Sequence, residues 1–248
     1  MGDPAKERTA PQKVEVDAIR TIQALESRTF AKRFLNFNPH FTLFRRGFRL
    51  CVELVHQLGE IPPKGERDRV LRDLACDILD CLWLAEHALL HGYDNQMLVL
   101  LRRAYEATSL MAYFLNFPDK VAEWQSGKQI ENSAIREALA TAPVPEPREE
   151  LKAIYKVYSL FAHVNRDTIY ERLLGEKNRL TLGCQGNVDE KTVGANLREL
   201  LAQTMWFVDV FNFAFKEVGA KLGDNYMRPA LAYRAEVQSL AADLPALF

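Results

Sequence analysis

"NQMLVLLRRAYEATSLMAYFL", Asn95 to Leu115, is the stretch on which the fold turns. Wound at 100° per residue, Leu98, Val99, Leu100, Leu101, Ala104, Ala107, Leu110, Met111, Phe114 and Leu115 cover almost the whole circumference of a helix. A cylinder apolar on nearly every side belongs in the middle of a bundle. One polar line interrupts it, because Arg102, Glu106, Ser109 and Tyr113 fall within about 60° of one another. Taking charge out of water is costly unless the charge is paired, so this line needs partners.

The flanking sequence supplies the other helices. With only 12 glycines in 248 residues and few alternating β-branched runs, the pattern is 3.6-residue periodicity throughout. It predicts an all-α protein, a helical bundle of six to eight helices in a single domain over residues 29–248, preceded by a charged N-terminal arm over residues 1–28 with one short helix in "VEVDAIRTIQALES". Phe41, Phe44, Phe48, Val52 and Val55 form the stripe of a helix ending near Gly59, where "IPPKGE" breaks it. The next helix runs from Asp68 to His91 with Gly92 as its stop, and Asp94 is the expected N-cap of the helix quoted above. Further helices are expected over Lys120 to Leu139, Leu151 to Val164, Thr192 to Val218 and Ala230 to Leu240, with "TAPVPEPREE" and "GEKNRLTLGCQGNVDEK" as connections.

Composition excludes several classes. A net charge of −1, 48% hydrophobic and 26% charged residues, and a mean hydropathy of −0.19 describe a folded chain without an overall bias toward nucleic acid or acidic membranes. The most apolar run, "MWFVDVFNFAF", is broken by Asp209 and Asn212 and falls short of the roughly 20 residues a membrane span needs, so no membrane partner is expected. The first residues lack the apolar core of a signal peptide, and Lys6 stands where a myristoylation signal needs Ser or Thr, which predicts a cytoplasmic protein. Cys51, Cys76, Cys81 and Cys184 form no C-x-x-C pair and read as free thiols.

Candidate chemistry lies on two polar lines. Arg102 and Glu106, spaced i, i+4, reach each other and make either an internal ion pair or part of a site. In "YKVYSLFAHVNRDT", Tyr155, Ser159, His163 and Arg166 share one helix face within about 80°. His163 titrates near neutral pH, so with Ser159 and a facing Glu106 it could move a proton, or hold a phosphate with Arg102. As a nucleophile pair Ser159 and His163 lack an oxyanion hole and a carboxylate orienter. Lys152 and Lys156 project near the same side, and long lysines mark a wet face.

"LLRRAYE" followed by "YKVYSLFAH" resembles a widespread uncharacterised bacterial all-helical family that carries Arg-x-x-x-Glu on one buried helix and Tyr-x-x-x-Ser-x-x-x-His on a later one. Arg102, Glu106, Tyr155, Ser159 and His163 are the matching positions, over residues 70–215. Where that family commonly has Pro and Ser after the histidine, Val164 and Asn165 follow here. The family is in turn similar to modules of the HEPN (higher eukaryote and prokaryote nucleotide-binding) class. That resemblance implies an RNA- or nucleotide-binding regulatory module in stress or defence, with Arg102, Ser159, Tyr155 and Arg166 as ligand contacts. The catalytic HEPN pattern, Arg and then His four to six residues on, is absent, since the first histidine after Arg102 is His163. The alternatives are a metal-independent ribonuclease or hydrolase using His163 as acid or base, with Glu106 as its companion, and a purely structural protein-interaction bundle.

Two further features carry weight. His87 and His91 in "EHALLH" sit i, i+4, but two ligands fall short of a metal site, and no metal or other cofactor is expected. In "RTFAKRFLNFNPHFTLFRRGFRL", Arg28 to Leu50, six Arg or Lys stand with no acid, interleaved with aromatics as single-stranded nucleic acid requires. Since Phe41, Phe44 and Phe48 serve the core stripe, Lys32, Arg33, Arg45, Arg46 and Arg49 remain as a basic edge for phosphate or for the acidic surface of a second subunit. The aromatic helix from Thr192 to Val218 predicts a homodimer.

Overall fold

The computed structural model describes residues 10–142, 156, 158 and 189–246, and among the described residues there are eight helices and no strand. They are α1 (Ala10–Gly59), α2 (Glu66–His91), α3 (Asp94–Asn116), α4 (Lys120–Gln125), α5 (Asn132–Leu139), α6 (Glu190–Ala214), α7 (Lys216–Lys221) and α8 (Asp224–Ala241). The chain is thus an all-α bundle, with no described helix long and apolar enough to cross a membrane.

The closest pairing is the α2–α3 hairpin. Gly92, at φ 92°, takes the left-handed conformation that ends α2. Its N–H reaches the Leu89 carbonyl, while that of Tyr93 reaches Ala88 at 2.8 Å, closing a Schellman turn. The third helix therefore returns along the second after two residues. Asp94 does not cap it: Tyr93 holds the N-cap position, and the Asp94 carboxylate turns away to Arg33 on α1.

α6 packs against α1, α2, α3 and α8 and is the second central helix. Asp189 caps it by accepting from the Thr192 N–H at 2.8 Å. It ends at Phe215 (φ −121°, ψ 32°), earlier than the periodicity implied, and α7 follows at once. Its apolar residues are spent inside the bundle: Leu197, Leu200, Leu201, Phe207 and Phe211 are fully buried, and Phe213 is its one large apolar side chain classed as exposed. The aromatic surface expected to serve a dimer is covered by the chain's own helices.

Other boundaries moved for local reasons. α1 begins at Ala10, within the segment read as a charged arm, and kinks at Phe37 (φ −123°, ψ 22°), two residues before Pro39, whose ring removes a donor and crowds the preceding turn. The helix expected over Lys120 to Leu139 is two helices, split where Gly127 turns to φ 87°. α8 starts at Asp224, ahead of Pro229, because Tyr226 is buried and donates its hydroxyl to the Asn212 amide oxygen. The expected helix from Leu151 to Val164 lies outside the described residues except for Lys156 and Tyr158, which are helical.

Of the stripe expected on α1, Phe41 and Phe44 are fully buried and Phe48 and Val55 pack against the core, but Val52 is exposed, and the buried line runs on through Cys51, Leu54 and Leu58. Its centre is Gly47, where the Tyr233 ring of α8 lies against the backbone. α3 is also less uniformly buried than its composition implied, with Val99 exposed and Leu100 and Leu110 half-buried.

Candidate functional site

Arg102 Nε donates to Glu106 Oε1 at 2.9 Å, as the i, i+4 spacing implied. The pair is not sealed in: 19% of the Arg102 side chain and 31% of the Glu106 side chain remain exposed. Further along the same line Ser109 is buried and Tyr113 is half-buried. Glu106 also borders a hollow of about 240 Å³ whose far side is the exposed Asp77–Arg103 pair, with Nη2 to Oδ1 at 2.6 Å. Tyr155, Ser159, His163 and Arg166 lie outside the described residues.

Beside that line, α6 contributes a polar row that the sequence reading passed over. Asn196, Glu199 and Gln203 are all buried. Gln203 Nε2 donates to Thr108 Oγ1 at 3.4 Å, and the Tyr105 and Trp206 rings meet at 5.4 Å, so the row belongs to the α3–α6 seam. Tyr158, which is 1% exposed, donates its hydroxyl to Glu199 Oε2 at 3.5 Å. Burial first, and the Glu199 charge second, push this phenol well above its ordinary range, so it acts as a fixed donor. Asn196 Oδ1, Gln203 Oε1 and Trp206 Nε1 are buried without a hydrogen-bond partner among the described residues. A buried polar atom left without any partner costs roughly 1–3 kcal/mol. The signal was legible in principle: 196, 199 and 203 are spaced i, i+3, i+7, one helix face.

The other concentration of chemistry joins two features that were separate in the sequence. Six rings, from Phe34 through Phe30, His91, His87 and Trp83 to Phe48, follow one another across α1 and α2 at centroid spacings of 4.7 to 6.1 Å. The aromatic run and the histidine pair are one surface. Trp83 is 42% exposed and His87 is exposed, so this part of the ladder is open to solvent. Arg45 lies against it, its guanidinium carbon 5.5 Å from the Phe34 centroid, close enough for a cation–π contact. Its Nε donates at 2.7 Å to Oε1 of Glu86, a carboxylate with no exposed surface whose Oε2 has no partner among the described residues. His91 Nδ1 is engaged with the His87 carbonyl at 2.8 Å, and among the described residues no three His, Cys, Asp or Glu side chains are disposed to hold a metal.

Burial raises the Glu86 carboxyl above its ordinary value of 4.5, and Arg45 pulls it back only in part, with smaller help from His87 and His91. The folded chain therefore holds this proton more tightly than the unfolded chain. The resulting stability is fully present below pH 4.5 and is lost as pH rises through the folded value. Glu86→Gln cannot ionise, so its unfolding free energy relative to wild type should improve between about pH 4 and about pH 7. Urea titrations of both proteins across that range check this; parallel pH profiles would rule the ionisation out as a source of instability.

The basic edge does not remain basic. Lys32 pairs with Glu190 (3.8 Å), Arg33 with Asp94 (2.8 Å), Arg45 with Glu86, Arg46 with Glu236, and Arg49 with Glu53 (2.9 Å). A run with no acid of its own draws acids from α6, α3, α2 and α8, and one from the next turn of α1. Compared with protein-family models, curated proteins and solved structures, the chain finds no match.

Proposed function

We propose that the protein is an RNA- or nucleotide-binding module that takes unpaired bases on the ladder between α1 and α2. The observation that carries this is the exposed run of rings at Trp83 and His87 with Arg45 beside it. Trp83 offers a stacking surface, and Arg45, whose side chain is 42% exposed and which among the described residues bonds Glu86 through Nε alone, has its terminal nitrogens for a phosphate. Arg102, steadied by Glu106, is the second phosphate contact under the HEPN-like reading, and a role in stress or defence, in the cytoplasm, belongs to the same proposal. Cys51, Cys76 and Cys81 are free thiols, in keeping with a reducing compartment. A homodimer belongs to the same proposal, and on α6 the large apolar side chain exposed to meet a second copy is Phe213.

Because the basic run is already matched with carboxylates, stacking supplies more of the affinity than charge does. Fluorescence anisotropy with short single-stranded RNA should then give a shallow salt dependence, a log–log slope of about −1, as one or two phosphate contacts require. Trp83→Ala should weaken binding roughly five- to a hundredfold, the worth of one stacked base, while Trp83→Phe keeps most of it. No binding, or binding with a steep salt slope that ignores Trp83→Ala, sinks the proposal. The internal pairing of Lys32, Arg33, Arg45, Arg46 and Arg49 favours a second reading, in which the bundle is structural and the run exists to tie helices together. Under it none of these variants touches RNA binding, because there is none.

A further inference from the structure

A cleft of about 380 Å³ opens where four helix ends meet: the end of α1, the start of α2, the end of α3 and the junction of α6 with α7. Its floor is apolar, with Leu58, Leu71 and Phe215 buried and Leu115 half-buried. Phe213, 53% exposed, stands as one wall although solvent would not choose it. The volume is in the range of small-molecule sites.

The rim is charged and its balance is positive, four basic side chains against two acidic ones. Two of the four are held locally. Arg72 is taken by Asp68 and by the Leu58 and Ile61 carbonyls, which fixes the α1–α2 turn, and Lys64 bridges the mouth to Glu217 at 2.8 Å. Arg67 and Lys216 have no carboxylate within ion-pair distance among the described residues, although Arg67 also donates to the Leu115 carbonyl. The Lys64–Glu217 pair is solvent-exposed on both sides, so a competing anion opens it at little cost.

We infer that this cleft binds an aliphatic carboxylate, its chain on the Leu58–Leu71–Phe215 floor and its head among Arg67, Lys216 and Lys64. An apolar floor under a net positive rim matches an amphipathic anion. It does not match a cation, and a neutral apolar molecule leaves the rim unused. The inference is independent of RNA binding.

Isothermal titration of the full chain with decanoate, kept below its aggregation concentration, should show saturable 1:1 binding. Decylamine should bind at least tenfold more weakly. Lys216→Glu, on an exposed side chain, should weaken decanoate at least tenfold with an unchanged melting temperature, and Val218→Trp, which fills the cleft, should abolish binding. Failure to saturate, equal affinity for decylamine, or wild-type affinity in Lys216→Glu overturns the inference, and Lys216→Glu decides even where Val218→Trp fails to fold. A concentration-dependent dimer that Phe213→Ser dissociates would assign the cleft to a second copy of the chain and also overturn it.

Discussion

Arg33→Ala should lower the unfolding free energy by about 3–5 kcal/mol, among the largest effects any single substitution in this bundle can have. The side chains of Arg33 and Asp94 are only 6% and 10% exposed, and they meet through two parallel bonds, Nη2 to Oδ2 at 2.8 Å and Nη1 to Oδ1 at 3.2 Å. Arg33 also donates to the Leu89 carbonyl in the last turn of α2, while Asp94 accepts from Asn196 Nδ2 at 2.9 Å on α6. One guanidinium thus fastens α1 to the α2–α3 turn, and the same carboxylate fastens that turn to α6. Removing the arginine leaves a buried carboxylate with, among the described residues, a single amide donor, and that uncompensated charge is where the loss arises. In a chain of this size the change corresponds to a fall of roughly 10 °C in Tm. Urea denaturation followed by circular dichroism measures it. A loss below about 1 kcal/mol would mean that water reaches Asp94. The double variant Arg33→Met, Asp94→Leu should recover part of the deficit, since it leaves no unpaired charge buried, although Asn196 Nδ2 then loses its acceptor.

The second large effect reverses an ordinary expectation. Gly47 lies inside α1, where Gly→Ala commonly stabilises a helix by about 1 kcal/mol. Here a Cβ would come within 2.7 Å of Tyr233 Cε1 and nearer still to Cζ and the hydroxyl oxygen. That ring is fully buried and cannot swing aside, so α1 and α8 must move apart. Overpacking of this kind costs about 1–3 kcal/mol and more where backbone must shift, so Gly47→Ala should be net destabilising by about 2 kcal/mol. Tyr233→Leu in the same chain should restore part of it. Thermal melts of the single and double variants decide the matter, and a raised Tm in Gly47→Ala would show that the two helices are not locked together at this point.

These two sites also show what a sequence can and cannot carry. The class of fold was readable, because 3.6-residue periodicity is a local property and α3 announced its own burial. The Gly92 stop and the Arg102–Glu106 bond were readable for the same reason, each depending on residues within one turn. The face of α1 was readable at Phe41 and Phe44 but not at Val52, because the closest approach occurs where the side chain is smallest, at Gly47, and the buried line follows it round to Cys51 and Leu54. Asp94 has the residue type and position of a cap, and only the arrival of Arg33, 61 residues earlier in the chain, redirects it. Nor could spacing reveal that the ring-rich run and the "EHALLH" histidines share one surface, since that depends on the register of α1 against α2. The polar row Asn196, Glu199 and Gln203 was visible but hidden behind the stronger apolar signal of its helix.

The matching of α1 with distant acids bears on the order in which the chain matures during synthesis. A ribosome delivers α1 before these partners, with its phenylalanines bare and, beyond the local Arg49–Glu53 pair, its cations unanswered, while Glu190, which receives Asn36 and Lys32, follows 154 residues after Asn36, and Glu236 follows later still. The α2–α3 hairpin can close as soon as it emerges, and it quiets Arg33 and Arg45. The rest of α1 must wait for α6 and α8. Until those helices emerge, α1 is a cationic helix attached to a finished hairpin, and it is the span Glu190–Ala241 that answers its remaining charges and covers its phenylalanines.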